Sequence, residues 1–131
     1  MSSIFTKIIN REIPAHIVAE NDTALAFLDI RPLTKGHTLV IPKEEVDYLF
    51  DLDDTTYTGL NLFAKQVALG LQKAIPCERI ATAVIGLEVP HAHIHLIPIN
   101  KMSDANFSNP KLELPDAEMK QIAEAIRQEV S

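Results

Sequence analysis

Residues 89–99 read VPHAHIHLIPI, and three of the chain's five histidines fall inside that stretch, at His91, His93 and His95. Side chains on an extended strand alternate between two faces. The three imidazoles therefore share one face, with neighbours about 6–7 Å apart at a rise of about 3.3 Å per residue. Ala92, Ile94 and Leu96 share the other face, which suits a core. Packing alone gives no reason to line a strand with imidazoles. The stretch is predicted to be a strand with one apolar face and one chemical face.

Working outward, RIATAVIG (residues 79–86) is a neighbouring strand candidate, with Gly86 near the turn between the two. Before it, residues 53–76 place Leu60, Phe63, Val67, Leu71 and Ile75 at the helical period. Asp53, Asp54 or Thr55 can cap this helix and Pro76 stops it. HIVAE (16–20), TALAFLDI (23–30) and HTLVIP (37–42) are three more strands, joined by the Asn21-Asp22 turn and the loop RPLTKG. Strand, turn, strand, loop, strand is an antiparallel meander. Ile4, Phe5, Ile8 and Ile9 suggest a short helix or turn ended by Pro14. Beyond the triad, residues 101–116 are polar and turn-rich, so they form a loop or flap. Residues 116–130 repeat the helical pattern through Met119, Ile122, Ala123, Ile126 and Val130. Strands grouped around one long helix imply an α+β fold.

A chain of 131 residues is expected to form one domain over 1–131, ending in a loop plus C-terminal helix over 101–131. Apolar residues at 47% and charged residues at 23% are ordinary for a globular protein. A net charge of −6 argues against holding long nucleic acids, though not against a small phosphorylated ligand. The single cysteine, Cys77, excludes an internal disulfide framework and a cysteine-based zinc cluster. No apolar run approaches the roughly 20 residues that span a bilayer, and the N-terminus lacks the order of a secretory signal. A soluble cytoplasmic protein without a membrane partner is the expectation.

Two chemistries suit a face of imidazoles. Histidines at i and i+2 can ligate zinc or iron, with Glu88 or His37 as a further ligand, but the order and spacing match no familiar metal signature. Alternatively, an imidazole titrates near about 6.5 and attacks phosphorus without needing an activated hydroxyl. Flanking imidazoles can then donate hydrogen bonds where negative charge develops. One nucleophile between two supporting donors is a sensible layout for nucleotidyl transfer.

HAHIHLI fits the His-x-His-x-His-x-x signature of the histidine-triad (HIT) superfamily. AFLDIRPLTKGHTLVIPK (26–43) resembles a second segment of that family, and IFTKIINREIP resembles its usual start. The resemblance implies a family-type core over 1–100, a five-stranded antiparallel sheet with a long helix, in a homodimer whose sheets join or abut. It implies binding of nucleotides, mostly purine, and cleavage of nucleoside-phosphate linkages; no cofactor is expected, nor, with Ser3 and Thr6 in place of thiolate ligands, a bound metal. By similarity His93 is the nucleophile on the α-phosphorus, giving a nucleotidyl-histidine that water hydrolyses. His91 and His95 support the phosphate and the geometry of His93, and His37 completes the site. Asp29 accepts from ribose hydroxyls, and Ile4, Phe5, Ile8, Phe27 and Ile30 form the base pocket.

The chain also departs from the family. Ser3 and Thr6 stand where several members carry a Cys-x-x-Cys zinc half-site. In GLEVPH, Leu87 replaces a glutamine that helps hold the phosphate or leaving group, and Glu88 replaces a common serine beside it. A leucine cannot hydrogen-bond, and Glu88 repels an anionic leaving group. These changes argue against diadenosine polyphosphates and agree better with a phosphoramidate, whose leaving group is an amine. The competing readings are a purine-nucleotide-binding module with little turnover and, third, a His-ligated metal enzyme.

Overall fold

The structure, a computed structural model, describes residues 2–130. A short helix α1 (Ile4–Ile9) leads into β1 (Ile17–Glu20), β2 (Ala24–Leu28) and β3 (Thr38–Pro42). A 3-10 turn (Leu49–Asp51) precedes the long α2 (Asp54–Ala74), then β4 (Arg79–Ala83) and β5 (Ile94–Ile99). A second 3-10 turn (Met102–Ala105) and an irregular stretch end at α3 (Asp116–Glu129). β5 inserts between β3 and β4, so the order is β1-β2-β3-β5-β4 with every pair antiparallel.

Asp53 caps α2, its Oδ1 accepting the Thr56 N–H at 2.7 Å. Leu60, Phe63, Ala64, Val67 and Leu71 turn one stripe of α2 onto the sheet. They meet Val18, Ala26, Leu28, Val40, Ile94 and Leu96 from the strands, with Met119, Ile122 and Ile126 from α3. Each large aliphatic side chain buried this way is worth about 1.5–3 kcal/mol, so packing outweighs helix propensity here. An antiparallel sheet often leaves its other face to water. Here Leu25 and Phe27 of β2 and Leu39 and Ile41 of β3 point that way and are covered by Phe5 and Ile8 of α1. The N-terminal stretch is therefore a lid on the second face.

The strand expected over 89–99 starts only at Ile94. Val40 faces Ile94, so the next partners outward would be Ile41 with His93 and Pro42 with Ala92. Pro42 has no N–H to give, and β3 ends there. Ala92 instead donates its N–H to the Val46 carbonyl at 2.7 Å. His91 and His93 thus stand on a lead-in held from the side, and only His95 belongs to the strand. The 79–86 strand is likewise shorter, ending at Ala83.

Candidate active site

The lead-in fixes the first two rings of the triad by hydrogen bonds that permit one reading each. His93 Nδ1 lies 2.7 Å from the His91 carbonyl, which only accepts, so Nδ1 carries the proton. In the neutral ring Nε2 then holds a bare lone pair. His91 Nε2 lies 2.8 Å from the Pro42 carbonyl and must donate, which leaves Nδ1 to accept from the Ser3 hydroxyl, also at 2.8 Å. Both nitrogens of His91 are thereby engaged within the protein. His91 therefore has no ring nitrogen left for a phosphate, and what it offers His93 is its backbone carbonyl.

His95 on β5 faces His37, which enters β3 after a turn at Gly36. The Leu33 N–H donates to His37 Nδ1 at 3.0 Å, so the His37 proton sits on Nε2 and is given to His95 Nδ1 at 2.9 Å. His95 consequently carries its own proton on Nε2. Burial pushes His37 down to about 3, helped by His95 and Lys111, and His95 down to about 4, helped by His93. Burial also lowers His91, against the pull of the Pro42 carbonyl and Glu45. These three rings are neutral near pH 7. Among the described residues no buried side-chain nitrogen or oxygen lacks a partner. The Nε2 atoms of His93 and His95, which have none, are therefore the ones open to a ligand. The two ring centroids are 5.0 Å apart.

Asp29 follows β2, its Oδ1 accepting the Arg31 N–H at 2.9 Å. Burial raises its carboxyl, opposed by that hydrogen bond and by nearby His93, Lys111 and Arg31. Its Oδ2 is 3.8 Å from His37 Nε2, too long for a hydrogen bond, and no ion pair while His37 is neutral. That oxygen is free to accept. Phe5 is buried and stands edge-on to His93 at 5.1 Å, to Phe27 at 5.5 Å and to His91 at 5.8 Å. Ile8 and Phe27 pack behind it in the core. Ile4 and Ile30 are largely exposed instead, at 50% and 71%. Leu87 is 89% exposed and Glu88 is exposed beside it, both in the loop before the lead-in.

Five residues at or around this cluster carry no role in the sequence itself. Ser3, Thr6 and Glu45 gather behind His91. Phe107 stands edge-on to His95 at 4.8 Å and to His37 at 6.2 Å. It is the one aromatic in the polar stretch after the triad, which was the available signal. Lys111 donates to the Phe107 and Asn109 carbonyls at 2.6 and 3.1 Å, pinning that turn over the rings.

Asp29, His37 and His95 offer ligand atoms within 4.8 Å of one another. The donor set does not suit a metal, however. With His37 Nδ1 accepting the Leu33 N–H, its Nε2 carries the proton and has no lone pair to give. Behind His91, hydroxyls stand where zinc favours thiolates. What the arrangement does offer is one bare nitrogen, one N–H donor beside it, and one carboxylate oxygen.

The chain belongs to the HIT family: the family model described as HIT domain matches residues 10–102. It is 39% identical over 128 residues to an uncharacterized HIT-like protein of Borreliella burgdorferi, covering 92% of each chain. It is 34% identical over 136 residues to a Schizosaccharomyces pombe protein named adenosine 5'-monophosphoramidase, covering 99% of each. A crystal structure of a Hit-like protein from Bartonella henselae superposes with a TM-score of 0.84 at 31% identity, covering 97% of this chain and 95% of that one.

Proposed function

We propose that the protein hydrolyses nucleoside 5′-phosphoramidates, or related purine nucleotidyl conjugates, through a nucleotidyl-histidine intermediate on His93. The observation that carries this reading is the His93 Nδ1–H bond to the His91 carbonyl, which leaves Nε2 as a nucleophile beside the Nε2–H of His95. His93 Nε2 attacks the α-phosphorus, and the bond from phosphorus to the amine nitrogen breaks. The amine leaves with the electron pair and takes a proton from solvent. His95, being neutral, stabilises the phosphoryl oxygens by hydrogen bonding rather than by giving up its proton. Water then attacks phosphorus and gives up a proton to solvent, the P–Nε2 bond returns its pair to His93, and the nucleoside monophosphate departs. Asp29 Oδ2 takes the ribose hydroxyls, and the base lies against Ile4 and Ile30 with Phe5, Ile8 and Phe27 behind. The name of the S. pombe relative supports the phosphoramidate class.

The exposed Leu87 and Glu88 favour a second reading, a nucleotide-binding module with little turnover, because neither aids an anionic leaving group. Turnover of a fluorogenic adenosine phosphoramidate with EDTA present separates the two. Wild-type activity that survives the chelator and is abolished in His93→Ala is expected, with a nucleotidyl-protein adduct trapped on rapid quench. AMP binding without turnover would select the binding module, and turnover intact in His93→Ala would refute the nucleophile.

A further inference from the structure

We infer that Ser3 is a positioning residue for His93, acting through His91 as the inner end of a hydrogen-bond network that starts at Glu45. The inference rests on the proposed role of His93 and adds residues to it.

Every proton in the network has one place. Glu45 Oε1 accepts two hydrogen bonds at 2.6 Å, from the Ser3 N–H and from the Thr6 hydroxyl. Thr6 has then spent its only hydroxyl proton. The Thr6 N–H donates to Ser3 Oγ at 3.0 Å, filling an acceptor position on that oxygen. The Ser3 proton can go to His91 Nδ1 at 2.8 Å or to Thr6 Oγ1 at 3.3 Å. The nearer acceptor is also the one that needs it, because His91 has given its own proton to Pro42. His91 is fully buried, so an unfilled Nδ1 there has no water to turn to. With both ring nitrogens pinned, His91 holds its backbone still, and its carbonyl is what aims His93.

The partners come from three separate places: α1 and its cap, the segment after β3, and the lead-in to β5. Ser3 is itself buried, whereas Glu45 lies at the surface. The network therefore runs inward from solvent to the ring behind the nucleophile. Phe5 on the same helix touches both His91 and His93, so α1 also bears on His93 by packing.

The test uses the full chain and two readouts. Ser3→Ala is expected to lower kcat on the fluorogenic phosphoramidate by about 10- to 100-fold, the usual effect of a small misplacement of reacting groups, with KM and AMP affinity unchanged. Ser3→Thr, which keeps the hydroxyl, should restore kcat. Glu45→Gln, which keeps the acceptor oxygen, should resemble wild type, whereas Glu45→Ala should fall toward Ser3→Ala. Independently of turnover, 15N–1H ring spectra should place the proton of His91 on Nε2 and that of His93 on Nδ1. In Ser3→Ala the His93 pattern should become a mixture of tautomers. Unchanged kcat and ring spectra in Ser3→Ala would overturn the inference. So would a parallel loss of AMP affinity, which would mark detachment of α1. If the wild type lacked turnover, the functional reading would fail, and the ring spectra would still decide the network.

Discussion

His37 and His95 give the site a built-in sensitivity to acid. In the unfolded chain each ring takes a proton as pH falls through about 6.5. In the fold His37 does so only near 3 and His95 near 4, chiefly because both are buried. The unfolded state therefore binds more protons across that window. Stability present above about pH 6.5 is lost progressively as pH falls toward 4. The loss is at most about 1.4 kcal/mol per pH unit for each ring. Thermal melts from pH 7.5 to 5 should show a falling Tm, and His37→Gln, which removes one titrating ring, should flatten the fall; an unchanged slope would mean that other groups cause it. At this scale the triad itself was legible, because a period of two survives in the letters. Ser3 was not, since its partner His91 lies 88 residues away and nothing local marks a hydroxyl as a histidine's donor.

Elements were legible where one period runs long, as in α2, and least legible where a single residue interrupts it. Polar and apolar residues alternate from His91 to Leu96, yet the strand waits until Ile94, because the proline that stops the ladder sits on the neighbouring strand. Likewise the sequence left the stretch after β5 as loop or flap. Its tie to the site is the Phe107 ring against His95 and His37, a packing fact with no period to announce it. Gly36 shows how an element boundary serves the chemistry. Its φ of +90° turns the chain into β3 so that His37 meets His95, and a Cβ there would lie 2.9 Å from Ile75 Cγ1 and 3.2 Å from Leu71 Cδ1. Gly36→Ala combines backbone strain with a clash against the end of α2, and should cost about 1–3 kcal/mol. Urea unfolding should show the midpoint lowered at an unchanged slope. On the proposed function, turnover of the adenosine phosphoramidate should drop further than the folded fraction does, since the shift reaches His37; a variant as stable and as active as wild type would mean the turn has slack.

For the whole molecule, the resemblance of three motifs was enough to anticipate the five-stranded sheet and the long helix, while the C-terminal helix was legible from its own period. The resemblance also implies a homodimer whose sheets join or abut, but not which side chains such a pairing would cover. β4 is an edge strand, beside β5 alone. Val84 and Ile85, directly after it, are about half exposed, and Leu62 and Leu69 on α2 are exposed at 60% and 53%. Leu62 and Leu69 are two turns apart and so share one side of the helix, away from the residues that bury onto the sheet. Apolar side chains exposed beside an open edge and on the outer side of a helix are a liability for a chain that stays alone. Pairing two copies about a two-fold axis would cover both at once, since such an interface uses the same patch twice. Light scattering coupled to size exclusion should therefore report a mass twice that of one chain. Leu69→Glu with Ile85→Lys should halve it, while leaving the far-ultraviolet dichroism of the fold intact. The Nε2 atoms of His93 and His95 belong to a cluster built from α1, β3, β5 and the stretch after β5, so the monomer should keep its affinity for AMP. If it lost that affinity while remaining folded, the second copy would have to complete the nucleotide site, and the pocket assigned to one chain would be only half of it.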